Sequence, residues 1–155
     1  MIVKSILVPT DFSEPSDAAL HYATGMAQAL GAQLYLLHVP GKDGENLEMN
    51  FPIGAFEAAA RQRLSAFLSP EELARLRPEY ASRIGTPAEE IVRYADARDV
   101  ELIIMGTHGR SGVAHMLMGS VAEHVVRTAP CPVLLVRHPK RAVAKAQAHG
   151  EHAKA

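Results

Sequence analysis

Apolar residues along the chain alternate between short runs of strand length and longer stretches with a helical repeat. Ile2, Val3, Ile6, Leu7 and Val8 form the first short run, and Pro9-Thr10-Asp11 closes it, so residues 2–8 are predicted as a strand. Ser13-Glu14-Pro15 is a helix start, with Ser13 as N-cap and proline in the first turn. Ala19, Ala23, Met26, Ala27 and Leu30 then recur at helical spacing, and Gly31 suits the left-handed residue just past a helix end. Residues 33–39 (QLYLLHV) are a second strand. Residues 40–54 have Gly and Pro but little periodicity and read as a loop. Residues 55–68 are helical, with Phe56, Ala60, Leu64, Phe67 and Leu68 on one stripe. Ser69-Pro70-Glu71-Glu72 restarts a short helix to Arg77, and Pro78 breaks it.

Residues 79–84 are the third strand. Thr86-Pro87-Ala88-Glu89 has the capping-box pattern and opens a helix whose apolar side is Ala88, Ile91, Val92 and Ala95. Residues 102–105 (LIIM) are the fourth strand, and their unbroken apolar run fits burial on both faces. Residues 106–118 read as a loop with a short helical turn. Ser120-Val121-Ala122-Glu123 is another capping-box pattern, with Ser120 as N-cap of a helix to Thr128. Residues 132–136 (PVLLV) are the fifth strand. The tail 138–155 is Ala-rich and basic and is expected to be disordered.

Strands alternate with helices throughout, which predicts an α/β fold: one domain, an open parallel sheet and helices on both faces. The length of 155 residues fits a single domain. Ligands in such sheets bind beyond the carboxyl ends of the strands, where the strand order reverses. Three places therefore matter: Pro9-Thr10-Asp11, Val39-Pro40 and the segment from Met105.

Composition narrows the partners. A hydrophobic share of 48% with 21% charged residues is that of a soluble globular chain. Aromatics are only 5%, with no Trp, which argues against a stacking platform for single-stranded nucleic acid. A net charge of −1 supplies no field for DNA or an anionic membrane. No apolar run approaches the ~20 residues of a membrane span, and residues 1–4 lead into a strand without a signal-peptide layout. The lone Cys131 excludes an intramolecular disulfide and a Cys-cluster metal site. The expected location is the cytoplasm.

The segment after the fourth strand carries the candidate chemistry. Its glycines fall as Gly106-x2-Gly109-x9-Gly119-Ser120. Glycine lets a backbone approach a bulky anion, and successive backbone N–H groups form an anion-binding nest. A predicted helix N-terminus at Ser120 adds unpaired N–H groups and a favourable dipole. The spacing is neither a Walker A loop nor a dinucleotide fingerprint. Taken alone, it leaves open whether Gly106 and Gly109 only turn the chain.

Together with the opening Ile6-Leu7-Val8-Pro9-Thr10-Asp11-Phe12-Ser13 and the closing Ala129-Pro130-Cys131-Pro132-Val133-Leu134-Leu135-Val136, the glycine pattern resembles the ATP-binding class of the universal stress protein family over about residues 1–137. The resemblance implies a five-stranded sheet in order 3-2-1-4-5 and ATP as ligand, with or without Mg2+. By position it implies that Asp11 meets the ribose hydroxyls or lies beside the adenosine, and that Pro9, Thr10 and Val39 line the adenine pocket. It implies further that Met105 and Gly106 pass beside the nucleoside, and that Gly109, Gly119, Ser120 and Val121 contact phosphates through backbone N–H groups, with the Ser120 hydroxyl added. Arg110 is a cation where the phosphates would lie. The resemblance also implies a homodimer through antiparallel pairing of Val133, Leu134, Leu135 and Val136, an apolar strand at a sheet edge that needs a cover.

Other candidates have plainer readings. Asp11 alone would be a loop carboxylate capping the helix near Ser13. His38 reads as a packed core or rim histidine, and His108 as a phosphate neighbour or a solvated loop residue. His115 and His124 fall on different elements, and no zinc pattern is present. Cys131, between two prolines, reads as a partly buried inert thiol. Glu71, Glu72 and Glu89 fall in first helical turns as dipole partners, and Glu90 adjoins Glu89. The functional reading is a nucleotide-dependent sensor or regulatory module with an unknown protein partner. Its rivals are a slow ATPase or nucleotidyl-handling enzyme, poorly equipped with catalytic groups, and an interaction module with a vestigial nucleotide site.

Overall fold

A computed structural model of the chain describes residues 2–40, 54–108 and 118–137. Gly109, Arg110, His115, the short turn expected before Met118, most of the loop 40–54 and the tail 138–155 lie outside the described residues.

The elements in chain order are β1 (Ser5–Pro9), α1 (Glu14–Leu30), β2 (Gln33–His38), α2 (Ala55–Ser65), α3 (Pro70–Leu76), β3 (Glu79–Ser82), α4 (Pro87–Ala97), β4 (Leu102–Gly106), α5 (Ser120–Thr128) and β5 (Val133–Val136). The strands form one sheet in order β3-β2-β1-β4-β5 with every pairing parallel. This is the predicted α/β class with the implied strand order.

Side chains alternate across a strand, so each inner strand feeds two cores. Ile6, Val8, Leu34, Leu36 and Ile104 face α1, α2 and α3, where they meet Ala19, Leu20, Ala23, Phe56, Ala60 and Leu64. Leu7, Leu37, Ile103 and Met105 face α4 and α5, where they meet Ile91, Tyr94, Ala95, Ala122 and Val125. Ile6, Leu7 and Val8 of the central strand have no exposed surface. Burial on both faces explains the unbroken apolar runs in β1 and β4.

Local chemistry sets the helix ends. Ser13 Oγ accepts the Ser16 N–H at 3.3 Å at the start of α1, and Gly31 stops the helix at φ 65°. Ser69 and Glu72 form a full capping box at α3: Ser69 Oγ accepts the Glu72 N–H at 3.2 Å, and the Glu72 carboxylate accepts the Ser69 N–H at 2.8 Å. Those bonds hold the Glu72 carboxyl below its ordinary pKa. Ser69→Ala is expected to cost about 1 kcal/mol, read as a lower midpoint in urea with an unchanged slope; an unmoved midpoint would mean that the box adds nothing.

Some boundaries differ from the pattern. Ile2 is exposed and β1 starts at Ser5. α2 ends at Ser65, because the Ala66 and Phe67 N–H groups turn back to the carbonyls of Arg63 and Leu64. Thr86 caps α4 with no side-chain bond, so the box expected with Glu89 is absent; the Glu90 N–H bonds the Thr86 carbonyl at 3.0 Å instead. The N-cap of α5 is Gly119, and Ser120 is the first helical residue. The box expected there does not form either: Gly119 has no side chain to cap with, and Glu123 pairs with Arg127 at 2.7 Å.

Candidate functional site

β1 and β4 are neighbours at the middle of the sheet, with Ile6 beside Leu102 and Leu7 beside Ile103. The chain leaves β1 for α1 on one face and enters α5, after β4, on the other. The two exits diverge, and a crevice opens at their carboxyl ends. This is the switch point where open parallel sheets take their ligands.

The β1 wall is tightly bonded. The Thr10 N–H bonds the Leu37 carbonyl at 2.9 Å, which extends the ladder to β2. Asp11 Oδ1 accepts the Ser13 N–H at 2.9 Å, so the capping role read for this carboxylate is seen. Phe12 sits in the left-handed region at φ 59° although it is bulky and buried. Its ring packs at 5.8 Å from His38 and 5.7 Å from Phe56, with the Arg63 guanidinium over it at 5.3 Å. Arg63 also bonds Asp17. Burial raises the Asp17 carboxyl pKa against the pull of Arg63.

The β4 wall is defined by close approach. A Cβ on Gly106 would lie 2.8 Å from the Pro15 carbonyl oxygen. Glycine here lets β4 run against the first turn of α1. Beyond it, the Gly119 N–H bonds the Thr107 carbonyl at 2.6 Å, which ties the start of α5 to the end of β4. Two helix N-termini therefore flank one crevice, and they differ. The first turn of α1 carries Glu14 and Asp17 and is capped by Ser13. The cap of α5 is a bare glycine with no side-chain bond. Of the two, only the α5 end is without a side-chain cap; its own first-turn acid, Glu123, is paired with Arg127.

The structure gathers Pro9, Thr10, Asp11, Gly106, His108, Gly119, Ser120 and Val121 at the ends of β1 and β4 and the start of α5. Val39 follows β2 and is half-buried against the second core. Met105 contributes main chain there, since its side chain belongs to that same core. His108 is not a solvated residue: it is buried, with Nδ1 3.1 Å from Thr107 Oγ1. His38 is the packed histidine expected, with Nδ1 3.1 Å from the Thr10 carbonyl and its ring stacked on Phe56. Burial pushes the Cys131 thiol pKa up, in keeping with an inert thiol. Sequence reasoning did not find the Gly106–Pro15 approach or the Thr10–Ser16 hydroxyl pair at 3.2 Å. Small polar residues crowded into TDFSEPS were the available signal for the pair.

A hollow of about 420 Å3 lies between α4 and α5, lined by Glu89, Val92, Asp96 and His124 among others; among the described residues of the glycine pattern, none lines it. Among the described residues no helix is long and apolar enough to cross a membrane.

Comparison with known proteins agrees with this layout. The profile of the universal stress protein family matches residues 3–137. Universal stress protein MJ0531 of Methanocaldococcus jannaschii is 32% identical over 152 residues, covering 90% of this chain and 85% of the relative. The solved universal stress protein UspA from Lactobacillus plantarum superposes with a TM-score of 0.71 at 26% identity, covering 88% of this chain and 99% of that one. A universal stress protein solved in complex with cAMP superposes with a TM-score of 0.65 at 26% identity, covering 89% and 99%.

Proposed function

The chain belongs to the universal stress protein family, and on that footing we propose that the crevice between β1 and β4 binds an adenine nucleotide, ATP foremost, and that its occupancy regulates a surface offered to a protein partner. The observation that carries this reading is the bare glycine cap of α5, tied to Thr107 at the end of β4, the strand paired with β1. A structural relative at 26% identity is solved with cAMP, which supports an adenine nucleotide as the ligand class.

In this reading Pro9, Thr10 and Val39 flank the adenine, and the Asp11 carboxylate takes the ribose hydroxyls. The main chain at Met105 and Gly106 runs beside the nucleoside. The N–H groups of Ser120 and Val121 hold phosphate oxygens, with the Ser120 hydroxyl beside them; the Gly119 N–H, also expected to take part, is committed to the Thr107 carbonyl. Gly109 and Arg110 complete the phosphate side on the strength of their spacing, and His108 stands where that loop begins. Mg2+, when present, would accompany the phosphates. Binding shifts a conformational population only as far as the two states differ in affinity, and the loop after β4 is the segment that phosphate contacts would favour in one state. Calorimetric titration with ATP, ADP, AMP and cAMP tests the reading. Saturable binding of ATP is expected; no binding at millimolar ATP would overturn it.

The same reading includes a homodimer through β5. The Ile103 N–H bonds the Pro132 carbonyl at 3.0 Å and the Thr107 N–H bonds the Val136 carbonyl at 3.2 Å. By the two-residue period of a strand, the N–H and C=O groups of Val133 and Leu135 point away from β4. The other sheet edge, β3, is guarded by charge: Arg98 pairs with Glu79 at 3.1 Å and Arg61 lies over Tyr80 at 5.3 Å. β5 has only half-buried Val and Leu, the kind of edge that a second copy covers. Proline is tolerated on an edge strand where its missing N–H faced outward. Leu135→Pro should therefore convert a dimer mass to a monomer mass while ATP still binds. A wild-type chain that sediments as a monomer would remove this part of the reading.

A further inference from the structure

We infer that Ser16, in the first turn of α1 and outside the contact set above, is a positioning residue whose hydroxyl holds the Asp11 carboxylate for the ribose and so sets the preference of the site for nucleotides with ribose hydroxyls. This rests on the adenine-nucleotide reading.

The polar groups around Asp11 form one directed chain. Ser16 Oγ donates to the Ser13 carbonyl at 3.0 Å, which uses its single hydrogen. Thr10 Oγ1, 3.2 Å from Ser16 Oγ, is therefore the donor in that pair. Thr10 Oγ1 in turn accepts the Phe12 N–H at 3.2 Å. Asp11 lies inside this loop of bonds. The Phe12 N–H belongs to the peptide that follows Asp11. The Ser13 N–H, bonded to Asp11 Oδ1 at 2.9 Å, belongs to the next one. The chain thus fixes the main chain of Asp11 and the donor that orients its carboxylate.

Two further facts make Ser16 the keystone. Thr10 and Ser16 are 5% and 6% exposed, so bulk water does not replace a deleted hydroxyl. Phe12 holds a left-handed backbone at φ 59°, a conformation that persists in a bulky residue only where its surroundings enforce it. The aromatic packing of Phe12 fixes its ring, while the Thr10–Ser16 pair fixes its N–H. Without the Ser16 hydroxyl, Thr10 loses its acceptor and is free to rotate. The hold on the Phe12 N–H then loosens, and Asp11 with it. Bonds in such a chain polarise one another, so removing one weakens the rest.

The test is the affinity for ATP and for 2′,3′-dideoxy-ATP, measured by calorimetry on the wild type, Ser16→Ala, Asp11→Asn and the double variant. Thermal unfolding shows that each is folded. The wild type is expected to prefer ATP about tenfold, the size of one charge-assisted bond to the sugar. Ser16→Ala should lower that ratio to roughly threefold or less, Asp11→Asn should do the same, and the double variant should add little, as coupled residues do. A ribose preference that Ser16→Ala leaves unchanged, or equal weakening of both ligands, would overturn the inference while leaving the site reading intact. A wild type that binds both ligands equally would overturn the inference together with the ribose role read for Asp11, and leave the phosphate side of the site standing. A wild type that binds neither nucleotide would overturn the site reading itself.

Discussion

Gly119→Val is expected to remove nucleotide binding and leave the fold in place. The backbone at Gly119 has φ −70° and ψ 162°, which any residue can adopt. Glycine is therefore not needed there for conformation, and in the proposed site its missing side chain is what leaves the α5 N–H groups open to a phosphate. A branched side chain on the cap residue would stand between Ser120, Val121 and a phosphate. Each lost bond from an N–H to a charged oxygen is worth about 1.5–3 kcal/mol, so two such losses weaken binding at least roughly 100-fold. Against that, valine at an N-cap costs on the order of 1 kcal/mol. Titration with ATP beside a thermal melt separates the two effects. A variant that still binds within a few-fold of wild type would place the phosphates elsewhere.

Gly106→Ala should act the other way, on the fold first. The new methyl would lie 2.8 Å from the Pro15 carbonyl oxygen, 2.9 Å from its carbonyl carbon and 3.0 Å from its Cβ. Main chain cannot swing aside as the end of a long side chain can. β4 and α1 must separate, at about 1–3 kcal/mol for such overpacking. For a chain of this size each kcal/mol lowers the melting temperature by roughly 2–4 °C. Both segments wall the crevice, so ATP affinity should fall as well. An unchanged melt would mean that the two do not approach so closely.

These two glycines show what a sequence can and cannot say about this site. Both belong to one spacing pattern, and the pattern alone offered two jobs, room for an anion or a turn of the chain. Gly106 has a different one: it makes space for a helix turn far away in sequence, and only the packed fold reveals that neighbour. Likewise Ser120 and Thr86 carried the local capping pattern, yet neither box forms. At α5 the cap is Gly119, whose N–H is tied to Thr107, one residue before the one that the pattern named. Elsewhere the local reading was sound. Ser13 and Ser69 cap their helices, Gly31 ends α1, and the unbroken apolar run LIIM is the doubly buried β4. The strand order was not legible from periodicity. It came from the resemblance of three short motifs to a family, and the sheet has that order.

The central claim is that the main-chain N–H groups opening α5 receive a nucleotide's phosphates. Crystals grown with ATP test it most directly. The account predicts phosphate oxygens against the N–H groups of Ser120 and Val121, with the base toward Val39 and the sugar beside Asp11. A structure with ATP bound away from the start of α5, or with the protein's own side chains packed over that helix end, would contradict it.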